Sequence, residues 1–340
     1  MNVAFIIKSE KTPSSRIRIL DVFSEIQQHG IQSSIEILPD TFLKRQKLFK
    51  KLSDYDIVVL QKKLFNALEF YAFKKYSKYF VFDFDDAIYL KDASPSKNSK
   101  DYFSSTRERR FLRTIKSSDL VISANKVLNA KVASIAPEVP REIIFSPVDT
   151  SKILKKDNVD IKGLPIIGWI GLRKNLDYVE YVADALREIR KKHDFILRVI
   201  SDAPAKIDGV RCEHIKWTLE AQNCEIRNFD IGIMPLSQDP YSEGKAAYKL
   251  IQYLSAGVPS VCSPVGMNAD FCYDFKCALP AKKPEYFAGQ IIQLIEHKFL
   301  RAELSKKGIK IASEKFDIKV ISANLANVLK KHYEKAVQKK

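Results

Sequence analysis

Short apolar runs separated by amphipathic stretches occur along the first 150 residues of the chain. Apolar residues between positions 17 and 26 recur near every 3.6 residues and precede Gly30, which predicts a helix with a glycine C-cap. Amphipathic and aromatic stretches at 42–52 and 64–76 predict two more helices. The apolar runs predict strands at 3–7, 33–38, 56–60, 79–84, 120–123 and 142–145.

The same alternation begins again after a polar stretch at 147–165 that is typical of a linker. Strands are predicted at 166–170, 195–200, 210–215, 231–234 and 260–263. Helices are predicted at 176–192, 246–256, 285–297, 301–315 and 318–336. Strands that alternate with helices indicate mostly parallel sheets covered on both faces.

The pattern therefore predicts an α/β protein with two doubly wound, Rossmann-like domains. We place the first domain at 1–150, the second at 151–317, and a crossover helix with a basic tail at 318–340. Ligands in such folds bind beyond the carboxyl ends of the strands, here in a cleft between the two domains.

The charge and the cysteines narrow the class of protein. The chain has 57 Lys and Arg against 41 Asp and Glu, which gives a formal net charge of +16. Such a charge favours a polyanionic partner, either nucleic acid or an anionic membrane. A basic surface that only keeps the protein in solution would give the same total. No apolar run reaches the roughly 18–20 residues of a membrane-spanning helix. The N-terminus lacks the features of a signal peptide, so we expect a cytoplasmic location. The five cysteines lack disulfide or zinc-site spacing, and we expect reduced thiols.

The most informative stretch is 229–266. A predicted strand ends at residue 234, and the helix predicted after it carries Gly244 and Lys245 in its first turn. Amides at a helix N-terminus, a glycine that permits close approach and a lysine charge form a site for a diphosphate. Lys249 lies one turn further along the same helix face.

This stretch resembles the donor-binding segment of the retaining glycosyltransferases of family 4, also called glycosyltransferase group 1, which have the GT-B fold. Residues 167–171 resemble the start of the family's C-terminal domain. Residues 14–18, 81–89 and 123–125 resemble a subgroup that acts on bacterial surface polysaccharides.

The resemblance implies that the C-terminal domain binds a nucleotide-sugar donor and that the N-terminal domain positions the acceptor. The implied donor contacts are Arg173, Lys174, Ser242, Gly244, Lys245, Lys249, Gln252, Val265 and Gly266. The implied contacts to a glycan or lipid-linked acceptor are Ser15, Arg16, Arg18 and Asn125. Helix-surface roles are the alternative for the two arginines.

Three positions depart from the family pattern. Many members carry two glutamates eight positions apart, and this chain has Gly244 and Gln252 there. Gln252 still offers a hydrogen bond to a ribose, and Glu243 is a candidate replacement for the first glutamate. Asp85 and Asp86 stand where the family usually has a His-Asp pair, and we expect them to act as catalytic residues at the cleft, with a solvated turn after the strand as the alternative.

Residues 83–85 also form a DxD motif, which holds a divalent metal in GT-A enzymes. Because the donor motif lies in the other half of the chain, we expect no metal site and no cofactor besides the nucleotide-sugar co-substrate.

Residues 42–52 combine apolar side chains with five Lys or Arg. Residues 65–80 are rich in aromatic side chains and contain several lysines. Such segments suit the surface of an anionic membrane, with a solvated helix face as the alternative. We therefore expect a peripheral protein at the inner face of the cytoplasmic membrane.

The sequence thus favours a retaining, metal-independent glycosyltransferase that moves a hexose from a UDP- or GDP-sugar in cell-surface polysaccharide synthesis. A GT-B nucleotide-sugar epimerase would use the same donor site without an acceptor. A nucleic-acid-binding protein is indicated only by the charge, because no basic-aromatic motif of a known module is present, and we expect no nucleic-acid partner.

Overall fold

The computed structural model describes residues 1–92, Pro95 and residues 99–338. These residues form two six-stranded sheets in which all strand pairings are parallel. The strands of the first sheet are β1 Asn2–Ile7, β2 Gln32–Ile37, β3 Ile57–Gln61, β4 Phe80–Phe84, β5 Leu120–Ser123 and β6 Arg141–Ile143. The α-helices of this domain are α1 Pro13–Ser15, α2 Phe23–Gln28, α3 Phe42–Lys51, α4 Ala67–Lys75, α5 Ser105–Lys116 and α6 Lys126–Ile135. The strand order is β2-β1-β3-β4-β5-β6, which places a topological switch point between β1 and β3.

The second domain also contains a parallel six-stranded sheet with helices around it. Its strands are β7 Ile166–Ile170, β8 Ile196–Ser201, β9 Cys212–Lys216, β10 Ile231–Met234, β11 Ser260–Cys262 and β12 Leu279–Pro280. The α-helices are α7 Asp177–Glu180, α8 Ala183–Arg190, α9 Leu219–Glu225, α10 Pro240–Glu243, α11 Tyr248–Ser255, α12 Tyr286–Glu296, α13 Lys298–Ile311 and α14 Ile318–Gln338. The order β12-β11-β10-β7-β8-β9 places the second switch point between β7 and β10. The predicted two-domain α/β architecture is confirmed.

Apolar side chains cover both faces of the central strands. Residues 3–7 of β1 and 57–60 of β3 are each at most 1% exposed. Helices pack on both faces of a parallel sheet, so its strands consist of continuous apolar runs. Burial of each Val, Ile, Leu or Phe side chain contributes about 1.5–3 kcal/mol. The predicted strands at 120–123 and 166–170 have the observed bounds because these runs are short and sharply delimited.

The structure divides two predicted helices. The helix predicted over 17–26 consists of a π-helical turn at Arg16–Leu20 followed by α2, and the helix predicted over 176–192 consists of α7 and α8. Helices α5, α6 and α9 are absent from the prediction, although each begins at a polar N-cap. Those caps are Ser104, Asn125 and Thr218, and each side chain accepts a hydrogen bond from a backbone N–H three residues later.

Helix α14 returns to the N-terminal domain, as predicted. Its residues Ile321, Leu325 and Leu329 belong to the same buried cluster as β1. Lys330 Nζ donates to the backbone carbonyl of His29 at 2.6 Å. The last helix therefore connects the end of the second domain to the core of the first.

The structure adds two findings on the class of protein. Among the described helices, none has the length and apolar character needed to cross a membrane. All five cysteines are free thiols, as expected, and the Sγ atoms of Cys262 and Cys272 lie 3.3 Å apart in the core.

Candidate active site

The two domains meet at the carboxyl ends of their sheets. Asn125, which follows β5, donates from Nδ2 to the backbone carbonyls of Gly244 at 3.1 Å and Lys245 at 3.2 Å. A Cβ on Gly244 would lie 2.8 Å from Ala87 Cβ and 3.0 Å from Ala87 N. Glycine therefore permits the close approach of the segment between α10 and α11 to the loop after β4.

Lys245 and Lys249 lie at this meeting point beside aromatic rings. The Lys245 ammonium is 4.9 Å from the centre of the Tyr241 ring. The Lys249 ammonium is 5.1 Å from the Trp169 ring. Within the part of the chain that the structure describes, neither ammonium forms a salt bridge with a carboxylate.

The surroundings of the two lysines disfavour their charges. Burial lowers the pKa of Lys245, and burial together with the Lys245 charge lowers the pKa of Lys249 to about 7. The Asp86 carboxylate acts in the opposite direction on both lysines. Buried cations without a paired anion are costly, and a bound diphosphate would supply the missing negative charge.

The backbone here differs from the predicted one. Asp239 caps the separate short helix α10, of which Gly244 is the C-cap, and Ala247 then adopts a left-handed φ of 51°. Helix α11 begins only after Ala247, so the prediction that Gly244 and Lys245 form its first turn is wrong. Lys249 does lie in the first turn of α11.

The end of β7 is shaped to fit the Lys249 side chain. A Cβ on Gly171 would lie 2.5 Å from the Trp169 ring and 2.9 Å from Lys249 Cε. Glycine at this position leaves the space that the lysine occupies.

Arg173 and Lys174 follow β7 in an exposed 3₁₀ turn. The backbone N–H of Arg173 donates to Asp202 Oδ1 at 2.5 Å. Lys174 Nζ lies 3.3 Å from Asp92 Oδ2 of the other domain. The structure thus brings Lys174 to the domain interface, where a carboxylate pairs with it.

The predicted donor contacts Ser242 and Gln252 are both buried. Ser242 Oγ donates to Asp239 Oδ2 at 2.8 Å and lies 2.9 Å from the Tyr178 hydroxyl, so its polar atom is used within the protein. Gln252 is 2% exposed, and its Nε2 has no hydrogen-bond partner among the described residues. Leaving such a group unpaired costs about 1–3 kcal/mol. The structure therefore places an unpaired Gln252 amide in the interior of the second domain.

A lysine holds together the two carboxylates that follow β4. Lys62 Nζ lies 2.9 Å from Asp85 Oδ1, and it also donates to Asp86 Oδ2 and, at 2.9 Å, to Ser14 Oγ. Burial acts to raise the pKa of Asp85, but the charges of Lys62 and Arg18 lower it below its usual value. Asp85 is therefore ionised although it is buried.

Three of the predicted acceptor contacts are buried and have partners inside the protein. Ser15 Oγ donates to Gln61 Oε1 at 3.1 Å. Arg18 donates to Asp83 from Nε at 2.8 Å and from Nη2 at 2.5 Å. Asn125 Oδ1 caps α6, and its Nδ2 forms the contacts between domains described above.

Arg16 differs from these three residues because it reaches across the cleft. Its guanidinium carbon lies 5.9 Å from the centre of the Trp217 ring, which follows β9 of the second domain. The guanidinium also lies 3.6 Å from Asp21 Oδ2. The structure therefore places Arg16 beside the second domain and at the edge of the cleft.

Glu243 lies among different residues from the two lysines. It is exposed, and it lines a cavity of about 450 Å³ whose lining does not include Lys245 or Lys249. The lining of this cavity includes Val127, Gln238, Glu243, Val265, Gly266 and Lys282. The structure thus groups Glu243 with the predicted donor contacts Val265 and Gly266.

Two residues of the interface are absent from the sequence prediction. Lys62 directly follows β3, and its position at the carboxyl end of a central parallel strand is a signal that the sequence offers. Tyr241 belongs to the second domain but is buried in the core of the first. The sequence contains no pattern that predicts this insertion.

Comparisons with known proteins agree with this architecture. Residues 164–297 match the family model described as glycosyl transferases group 1. No curated protein matches the chain.

Solved structures of similar fold cover nearly the whole chain. HepE of Anabaena, solved in complex with UDP-glucose, is 14% identical with a TM-score of 0.74, and the match covers 97% of this chain and 100% of that one. Sucrose-phosphate synthase of Thermosynechococcus elongatus is 12% identical with a TM-score of 0.74, over 98% and 99% of the two chains. WaaG, a glycosyltransferase involved in lipopolysaccharide biosynthesis, is 14% identical with a TM-score of 0.65, over 96% and 99%.

The family match lies on the domain that carries Lys245 and Lys249, and the structural matches extend over both domains. The second domain therefore matches the group 1 glycosyltransferases, in agreement with the predicted resemblance, and the chain as a whole has the GT-B fold.

Proposed function

We propose that this chain transfers a sugar from a nucleoside-diphosphate sugar and that Lys245 and Lys249 bind the donor diphosphate. The observation that carries the proposal is the pair of mostly buried ammonium groups without a carboxylate partner in the described part of the cleft. HepE, a protein of the same fold, is solved with UDP-glucose.

The two lysines would act most strongly as the bond to the donor sugar breaks. The leaving diphosphate gains negative charge in that step, and preorganised cations in a poorly solvated site stabilise the developing charge. The family resemblance supports front-face attack with retention, in which the donor phosphate accepts the proton of the acceptor hydroxyl. Asp86, which faces the same interface, would orient a sugar hydroxyl.

We further propose that the reaction needs neither a metal nor another cofactor. Each carboxylate of the DxD motif already has a cationic partner, Arg18 for Asp83 and Lys62 for Asp85. These pairings leave the charge of the diphosphate to the lysines of the second domain.

The acceptor that we propose is a lipid-linked or growing glycan of the cell surface, handled at the inner face of the cytoplasmic membrane. WaaG acts in lipopolysaccharide biosynthesis, which supports an acceptor of this class. Helices α3 and α4 expose large apolar side chains beside lysines, as an interfacial surface requires. The exposed apolar residues are Phe42, Leu43, Leu68 and Tyr71.

A thermal-shift screen with UDP, GDP, ADP and CMP, each with and without Mg²⁺, tests the donor site. A ligand that binds only the folded protein raises the melting temperature. We expect a metal-independent rise with one nucleoside diphosphate. The rise should disappear in Lys245→Ala and Lys249→Met and persist in Lys306→Met, a control at an exposed lysine of α13. No rise with any nucleotide would refute the donor site.

Incubation with the selected nucleotide sugar then separates transfer from isomerisation. A glycosyl product whose anomeric proton shows the configuration of the donor supports retaining transfer. An inverted product would refute retention, and an isomeric nucleotide sugar formed without acceptor would show an epimerase.

A further inference from the structure

Lys62 has a backbone conformation that is uncommon for its residue type. Its φ is 55°, in the left-handed region that residues other than glycine seldom adopt. Its backbone N–H donates to the Asp83 carbonyl at 2.8 Å, which extends the ladder between β3 and β4 by one residue. A conformation of this kind costs free energy and persists where the surrounding structure holds it. Here it directs the lysine side chain toward the loop after β4.

The Lys62 ammonium has three polar partners. It donates hydrogen bonds to the Asp86 carboxylate and, at 2.9 Å, to Ser14 Oγ, and it forms an ion pair with Asp85 Oδ1 at 2.9 Å. An ammonium has three donors and no acceptor. These three partners engage the Lys62 ammonium within the first domain.

The arrangement divides the charges of the interface into two groups. On the first domain, Lys62 is paired with Asp85 and Asp86. On the second domain, Lys245 and Lys249 have aromatic neighbours and no carboxylate partner in the described residues. Asp86 is nevertheless the carboxylate whose charge acts most strongly on both of these lysines. Without a cation of its own, Asp86 would be attracted to the lysines and would repel a diphosphate bound there.

We propose that Lys62 is a positioning residue that holds the Asp86 carboxylate on the first domain and thereby leaves Lys245 and Lys249 to bind the donor diphosphate. This inference rests on the proposed function. It assigns to Lys62 a role in donor affinity although Lys62 does not contact the donor.

The test is a double-mutant cycle, with the dissociation constants of UDP and GDP measured by isothermal titration calorimetry. We expect Lys62→Met to weaken binding of the preferred nucleotide about tenfold, because one neutralising charge near the diphosphate is lost. We expect Lys62→Met/Asp86→Asn to bind within about threefold of the wild type, because the repelling carboxylate is also removed. Lys62→Arg should retain most of the affinity. Lys63→Met, which removes the next lysine along the chain, should bind like the wild type.

Each outcome separates this inference from the proposed function. Wild-type affinity in Lys62→Met would overturn the inference and leave the donor site standing. A double variant as weak as Lys62→Met would also overturn it, because the loss would not then depend on Asp86. A folded wild-type protein that binds neither nucleotide would overturn the proposed function itself. Circular dichroism and melting curves of each variant establish that the compared proteins are folded.

Discussion

The Lys249 ammonium carries a charge that its surroundings disfavour, since burial together with the Lys245 charge lowers its pKa to about 7. A bound diphosphate would raise that pKa, because it places negative charge beside the ammonium. Diphosphate affinity should therefore stay constant below the pKa of the free protein. Above it, affinity should fall by up to about tenfold per pH unit until the pKa of the complex is passed. Titration calorimetry with UDP from about pH 7 to about pH 9, above the second phosphate pKa of about 6, measures this fall.

Two variants show whether Lys249 is the group responsible. In Lys249→Met, the affinity should be low and nearly independent of pH over the same interval. In Lys306→Met, the wild-type slope should persist. A slope that is unchanged in Lys249→Met would assign the titration to another group.

Arg18 and Asp83 form a buried ion pair in which each residue is 4% exposed. Removal of one partner leaves an uncompensated charge in the core, which costs about 3–5 kcal/mol. We therefore expect Arg18→Met to lower the free energy of unfolding by about that amount, measured by urea denaturation. Arg18→Met/Asp83→Leu should recover most of the loss. A fully stable Arg18→Met protein with impaired acceptor binding would instead favour the acceptor role that the sequence predicts for Arg18.

The segment between α10 and α11 is the element through which the second domain touches the first. Its Gly244 has a φ of −80°, which alanine also adopts, so Gly244→Ala should leave the fold of each domain intact. The added Cβ would lie 2.8 Å from Ala87 Cβ and 3.1 Å from Leu128 Cδ2. We expect the domains to separate, which small-angle X-ray scattering would show as a larger radius of gyration. We also expect turnover to fall at least about tenfold, because a displacement of about 1 Å at a catalytic site lowers the rate by that much or more.

Gly289 supplies the matched control for this substitution. It lies within α12 and is exposed, and a Cβ there would have no atom within 4 Å. Gly289→Ala should therefore raise the free energy of unfolding by about 0.5–1 kcal/mol through helix propensity and leave turnover unchanged. Equal turnover in both alanine variants would show that the close approach at Gly244 is dispensable.

The strands were the most predictable elements because buried parallel strands are short, continuous apolar runs. The start of α10 was also predictable in principle, since Asp239 precedes a proline, a combination that favours a helix N-terminus. The left-handed Ala247 that separates α10 from α11 has no such signal, and the predicted helix therefore began too early. Tertiary contacts that no local pattern specifies, such as the one at Gly244, determine this conformation.

The candidate site was predictable only in part, because some of its contacts also join residues that are far apart in the sequence. Lys245 and Lys249 are near in sequence, and the family resemblance identified them together. The pairing of Lys62 with Asp85 and Asp86 joins the ends of two strands, so it depends on the order of strands in the sheet. Sequence spacing does not specify that order, and Lys62 therefore entered only with the structure.

The whole molecule combines two sheets that are joined twice, by the segment between β6 and β7 and by α14. Burial of Ile321, Leu325 and Leu329 against the first domain anchors the far end of the second. The contacts at the cleft include ion pairs at the surface, with Lys126 on one side and Asp270 and Asp274 on the other. Exposed ion pairs of this kind contribute at most about 1 kcal/mol each. We expect the cleft to open by hinge motion while α14 stays docked.

Helices α3 and α4 give the first domain a surface that suits an anionic bilayer. Leu43 is 77% exposed and Leu68 is 78% exposed, and they lie on helices that also carry exposed lysines. Flotation with vesicles that contain anionic lipid should recover the protein at low salt and lose it as salt rises, because screening weakens the attraction of the lysines. Leu43→Ser/Leu68→Ser should weaken binding at every salt concentration, whereas Phe299→Ser, at a 90% exposed residue of α13, should not. Equal recovery of neutral and anionic vesicles, or none at all, would remove the membrane surface from the proposed function and leave the donor site unaffected.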